Sequence, residues 1–417
     1  MPERISGLQI IAFYGNSQLA ERGLQEGDWI LEYQGERVIS EEQLLELEKK
    51  YQHTSNIVIK VRRGEEYAFF QILPGEMGIY VAEREADHEI LPDAKRIEGV
   101  ERLESKSGME NTFFGALTTL LRSLSIDIEQ LLLQGFSVYP FRIQFHTPPL
   151  PEHLDPAVGF DCVKFLFENL GWPVVRYNKK DPASTRHKAI VESIDRGIPV
   201  LAYNLFGNND WGIITGYQRQ KNEFFCRSYQ DKTFDYELVD HIPESILIFT
   251  EKPDVKIEGK FVEILRRSIE KALQILSAAH FGEIYAGNIA IKKWIDWLSD
   301  REYFEKLSDE QFQTECNTNL ILFSHYQQQF STASQYLDRL IDIFPDSAEH
   351  LKRLLKFYNV ESKILLDSQK LIPKDLLGAR EHWTQNIRKN EVSALVKIYK
   401  KNKEILAVME KLPLLEK

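Results

Sequence analysis

The chain has 417 residues, enough for about three domains at ~150 residues each, and 43% hydrophobic with 28% charged residues is ordinary globular usage. A net charge of −11 argues against a general nucleic-acid binder, which needs a basic face for phosphates. Cys162, Cys226 and Cys316 are far apart and form no CxxC pair, which speaks against a disulfide framework or a cysteine-rich zinc site. No apolar run approaches the ~18 residues of a membrane span, and the start MPERISGLQIIAF lacks a secretory h-region. The expectation is a cytoplasmic α+β multidomain protein with no nucleic acid, membrane span, metal or cofactor.

Residues 1–85 alternate short apolar runs with glycine-containing turns. Gln9–Phe13 and Trp29–Tyr33 read as strands, with a short helix at Asn16–Arg22 between them, stopped by Gly23. Gly23 and Gly27 suit turns with positive φ, and Asp28 suits a side chain bonding turn amides. Ser40 with Gln43 has capping-box spacing, and Leu44, Leu45, Leu47 and Tyr51 give the following helix an apolar stripe. Asn56–Arg62 and Tyr67–Leu73 read as a hairpin, and Met77–Val81 as a last strand.

The run from Gly15 to Leu31, with its Gly23-Leu24, its Gly27-Asp28 and the Gln34-Gly35 turn after it, resembles the characteristic stretch of PDZ domains. These are small β-barrels with helices that bind a peptide as an added strand, its carboxylate held by an apolar-Gly-apolar loop. Met77-Gly78-Ile79 fits that loop but follows the helix, which resembles the circularly permuted bacterial order. The resemblance then implies a groove between Ile79, Tyr80, Val81 and the helix residues Gln43, Leu44, Leu47, with a peptide or protein C-terminus as partner. The open alternative is a packed strand whose groove is occupied by the protein's own neighbouring domain.

Residues 86–98 are charged, aperiodic and contain Pro92, reading as a linker. Residues 99–253 mix both periods. A helix over 108–124 is followed by a second short helix, a β run Val138–Gln144, a helix Val158–Leu170 and a strand Val174–Tyr177. A helix Thr185–Arg196 and strands Ile198–Tyr203, Trp211–Tyr217 and Glu223–Arg227 complete the region. Helix first and sheet later, with Ala116-Leu117 and Thr215-Gly216-Tyr217, resembles the papain-like domain of the butirosin biosynthesis protein H family. That family implies acyl transfer or amide hydrolysis by a cysteine at the helix start and a histidine opening the later strand.

Both positions differ here. Thr112 stands where the resemblance puts the cysteine, and Asp210-Trp211 where it puts the histidine. An internal threonine without a base is a poor nucleophile, and Cys162 lies in the apolar run 160–167, reading as core. His146, His153 and His187 are scattered. Thr112, Asp210, Trp211 and Arg227 are therefore expected to line a vestigial cleft.

Residues 254–417 are helical by period: Ile257–Leu276, Tyr285–Leu298, Gln311–Phe330, Ser331–Ile343, Ala348–Leu371 and Lys374–Leu414. Trp294 and Trp297 read as core, and these helices resemble the helical part of the same family. Two functions remain open. One is a non-catalytic peptide-binding protein, with the vestigial domain as a second recognition surface. The alternative is an acyltransferase or amide hydrolase.

Overall fold

The structure, a computed structural model, describes the chain except residues 1–4, 16, 64–65, 76, 87–93, 104–110, 220–222, 232–235, 254–257, 373–378 and 416–417. The fold is mixed α/β, with antiparallel sheets and a helical C-terminal region.

The N-terminal unit comprises β1 (Ile5–Phe13), α1 (Gln18–Glu21), β2 (Trp29–Tyr33), β3 (Glu36–Arg37), α2 (Glu41–Lys50), β4 (Ile57–Arg63), β5 (Glu66–Ile72) and β6 (Ile79–Ala86). Its sheet runs β5-β4-β2-β1-β6, with β3 on β2. The period of two puts Ile57, Ile59 and Val61 into a core with Leu8, Ile10, Ile30 and Tyr33. Gly23 and Gly27 take φ +85° and +95°. Asp28 accepts the Gln25 N–H at 2.9 Å and pairs with Arg63 at 2.6 Å, tying the turn to β4.

Ser40 caps α2 by accepting the Gln43 N–H at 3.1 Å. The Gln43 amide oxygen reaches back one residue further than a capping box requires and accepts from Ile39 N–H at 3.0 Å. Leu44 and Leu47 are buried, whereas Leu45 is 49% exposed, so the apolar stripe is narrower than its leucines suggest.

Of the stretch 86–98 expected as a linker, residues 87–93 lie outside the described residues, and β7 (Ala94–Arg96) is a strand of the second sheet. Then come α3 (Thr112–Ser123), α4 (Gln130–Phe136), β8 (Gln144–Phe145), α5 (Cys162–Leu170), β9 (Val174–Tyr177), α6 (Ala183–Asp195), β10 (Val200–Tyr203), β11 (Trp211–Gln218), β12 (Glu223–Arg227), β13 (Glu237–Val239) and β14 (Ser245–Phe249). The sheet order is β13-β12-β11-β10-β14-β9, with β7 also on β11. α3 packs its Phe113, Leu117 and Leu120 against β10 and β11.

Two expected elements differ here. The β run Val138–Gln144 is instead a turn: Val138 has φ +62°, Tyr139–Phe141 is a single 3-10 turn around Pro140, and the strand is only β8. Proline removes a ladder donor. The buried Arg142 guanidinium holds the chain instead, donating to the carbonyls of Val158 at 2.7 Å and Leu154 at 2.9 Å. The helix expected from Val158 starts at Cys162, because Asp161 caps it by accepting the Lys164 N–H at 2.8 Å.

The C-terminal region holds α7 (Phe261–Ser277), β15 (His280–Phe281), β16 (Ile284–Ala286), α8 (Gly287–Ser299), α9 (Arg301–Lys306), α10 (Asp309–Ile341), α11 (Ala348–Gln369), α12 (Ala379–His382) and α13 (Gln385–Met409). The two helices expected at 311–330 and 331–343 are one, α10, 33 residues long. Ser308 opens it with a full capping box, and no glycine or proline interrupts it. Trp294 and Trp297 are buried, and the Trp294 indole donates to Asn319 Oδ1 at 3.0 Å.

The regions on either side of residue 254 share one hydrophobic core. β8 pairs with β16, the Phe141 ring meets those of Tyr336 and Tyr358, and Gly287 N–H donates to Ile143 O at 2.9 Å. Among the described residues no helix is long and apolar enough to cross a membrane.

Candidate functional site

The first candidate site is the free edge of β6. Gly78 has φ +69°, and a Cβ there would lie 2.9 Å from both Ser17 Cα and Tyr14 O, so only glycine fits. The loop is pinned on both sides. Ser17 Oγ donates to Met77 O at 2.8 Å, and Tyr14 N–H donates to Gly78 O at 3.0 Å. That last bond flanks the Phe13–Ile79 pair and makes it a narrow, non-bonded pair.

The N–H and C=O of Ile79 therefore point away from β1. Val81 behaves likewise, because its partner Ile10 spends its N–H on Asp28 O and its C=O on Gly27 N–H, both at 2.8 Å. Among the described residues β6 is terminal in the sheet, so these backbone groups face an open edge, with α2 alongside. Tyr80 is 57% exposed and its ring lies 4.7 Å from that of Tyr14. Of the other residues expected at this groove, Met77, Leu44 and Leu47 are core, and Gln43 is engaged in capping. The backbone of Ile79 and Val81, with the Tyr80 side chain, is what remains accessible.

The second candidate site is built at the N-terminus of α3. Asn111 caps it, Oδ1 accepting the Phe113 N–H at 3.1 Å, while Nδ2 donates to the Tyr139 hydroxyl at 2.7 Å. Thr112 Oγ1 accepts the Trp211 N–H at 3.1 Å, so the helix start and the start of β11 meet. The Trp211 indole donates to Asp155 Oδ2 at 2.8 Å, and its ring packs against Phe113 and Tyr203. The Tyr229 hydroxyl donates to Thr112 O at 3.3 Å over Gly115, where a Cβ would come within 1.9 Å of that hydroxyl.

Thr112, Asp210 and Trp211 thus share a cavity of about 290 Å³ with Glu152, Asp155 and Tyr203. Arg227 is elsewhere: its Nε donates to Val100 O at 3.0 Å, and its guanidinium sits 3.9 Å over the Tyr236 ring. A second cavity of about 420 Å³ shares Asn111, Tyr139 and His325 with the first and is walled by Gln130, Gln134 and Gln329. Apart from Thr112, Asp210 and Trp211, these lining residues carry no motif of their own. α10 brings His325 and Gln329 to α3 from about two hundred positions away.

Burial raises the Asp210 carboxyl above its usual range, opposed by a hydrogen bond from Gln230. Burial lifts Tyr203 to about 12, with repulsion from Asp155 adding to it. Enclosure, together with Arg142, holds His325 well below its ordinary value, so its imidazole is neutral at pH 7.

All three cysteines are fully buried. Burial pushes the Cys162 and Cys316 thiols up to about 12 and the Cys226 thiol well above its ordinary value. Among the described residues, no group of three or more His, Cys, Asp or Glu could hold a metal ion. His153 is buried, and burial, with Arg142, lowers it to about 3. No protein-family model matches the chain, and no curated protein matches it.

Proposed function

We propose that this is a non-catalytic peptide-binding protein. Residues 1–85 act as a circularly permuted PDZ module. Residues 99–253 act as a papain-like domain of the butirosin biosynthesis protein H kind, whose cleft serves as a second recognition surface. The observation carrying this is the open β6 edge, with the backbone groups of Ile79 and Val81 unused by β1 and a loop before it that admits only glycine. An extended peptide adds there as a further antiparallel or parallel strand. Support for a non-catalytic role is the burial of every thiol and the engagement of Thr112 Oγ1 by a backbone amide rather than a base.

Gly78→Asp is a poor test, since it strains the fold itself. Val81→Pro removes an edge-facing N–H and leaves the ladder to β1 intact, while Val81→Ala, which trims the same packing against the N-terminal core but keeps the N–H, is its control. In a fluorescence titration of a C-terminal peptide library, some peptides are expected to bind the wild type, and amidation of their carboxylate is expected to weaken them. Val81→Pro is expected to lower their affinity at least about tenfold relative to Val81→Ala, which shares its loss of core packing. Equal affinity in Val81→Pro and Val81→Ala, or no peptide bound by the wild type, overturns the proposal.

A further inference from the structure

Among the described residues the second sheet ends on β9, and that edge opens onto a cavity outside the α3 cleft. Thr250 N–H donates to Pro173 O at 3.1 Å. That bond flanks the Phe249–Val174 pair and makes it narrow and non-bonded, and Leu247–Arg176, two residues on, is narrow as well. The N–H and C=O of Val174 and Arg176 therefore point away from β14. Both residues line a cavity of about 430 Å³ between β9 and α5, with Val163, Phe167, Trp172 and Leu247 as its apolar floor.

These two features point to one kind of ligand. Edge groups two residues apart match an extended backbone, which offers its own N–H and C=O at the same spacing. Val174 and Arg176 share a face of the sheet with Leu247 and Phe249, and α5 covers that face through Phe167 against Phe249. In an antiparallel added strand, a residue opposite Val174 or Arg176 sends its side chain to this face and its N–H to β9. One residue thus bonds the edge and fills the cavity together. The charges at the mouth cancel: Arg176 meets Asp161 at 3.4 Å and Lys164 meets Glu168 at 3.8 Å. An uncharged side chain suits that balance, and the apolar floor favours a bulky hydrophobic one.

We propose that β9 and the cavity beside it bind an uncharged peptide segment in extended form, added antiparallel to β9 with one bulky apolar side chain in the cavity. The site shares no residue with the β6 edge or the α3 cleft and depends on neither reading.

The probe is Thr-Thr-Phe-Thr-Thr amide carrying fluorescein on its N-terminus, which has no free carboxylate for the β6 loop. Its binding to the full chain is read by fluorescence polarisation. The wild type is expected to bind it. Replacing its phenylalanine with alanine, or N-methylating that phenylalanine, is each expected to weaken it at least about tenfold. Arg176→Pro removes an edge-facing N–H, and Arg176→Ala, which loses the same Asp161 contact, is its control. The proline variant is expected to bind at least about tenfold more weakly than the alanine variant. No binding by the wild type overturns the proposal. An N-methylated peptide that binds as well as its parent overturns strand addition, and equal affinity in the two Arg176 variants overturns the assignment to β9. Weaker binding by Val81→Pro than by Val81→Ala places the peptide on β6 and overturns it too. A concentration-dependent dimer in sedimentation, kept in Arg176→Ala and lost in Arg176→Pro, makes the occupant a second copy of this chain and overturns the peptide. The C-terminal peptide titration at β6 stands or falls separately in every case.

Discussion

Incubated with iodoacetamide at pH 8, the folded protein is expected to keep Cys162, Cys226 and Cys316 unmodified over a time in which free cysteine reacts fully. The thiolate is the reacting species, and a thiol at about 12 rather than near 8.5 carries roughly a thousandfold less of it at this pH. Cys162 is the instructive case because it opens α5, and a helix N-terminus favours an anion. That effect amounts to about 0.3–2 kcal/mol, or about one pKa unit. Burial outweighs it and sends the thiol upward. Mass spectrometry should show all three labelled in urea and none in the native state. Selective labelling of one cysteine in the folded chain would sink the non-catalytic reading and restore thiol-based acyl chemistry.

Gly135→Ala is expected to cost about 3 kcal/mol or more of stability. A Cβ on Gly135 would stand 2.0 Å from the Tyr336 ring. That ring has no room to retreat: Tyr336 is fully buried and its hydroxyl is 2.7 Å from Ser268 Oγ. The clash lies where α4 meets α10, within the core shared by residues on both sides of position 254. Urea unfolding should therefore show one transition for both regions, moved to lower denaturant. The N-terminal unit, with its own core and its own Trp29, should keep its midpoint. Shrinking the ring relieves the clash, so Gly135→Ala and Tyr336→Ala are expected to be non-additive in a double-mutant cycle. An unchanged midpoint in Gly135→Ala would contradict the shared core.

Local chemistry by itself determined much of this protein. Turn glycines, the Ser40 cap, the alternation of Ile57, Ile59 and Val61, and the strand Glu223–Arg227 follow from torsional preference, capping and period. All of these act within a few residues of themselves. The meeting of Thr112 with Trp211 is what the papain-like resemblance implies, and neither composition nor period shows it.

What only the tertiary structure decided involves competition or distance. Val138–Gln144 has strand composition, yet a buried arginine holds it as a turn. α10 runs unbroken past Ser331, with Phe330, Ala333 and Ser334 buried around it, so burial adds to the absence of any glycine or proline there. Arg227 belongs to Val100 and Tyr236 rather than to the cleft. Glu152, Asp155, Tyr139, His325 and Gln329 acquire meaning only when α10 closes over the start of α3. Periodicity tells which face of an element is apolar, but the neighbour that covers it is chosen by the packing of the whole chain.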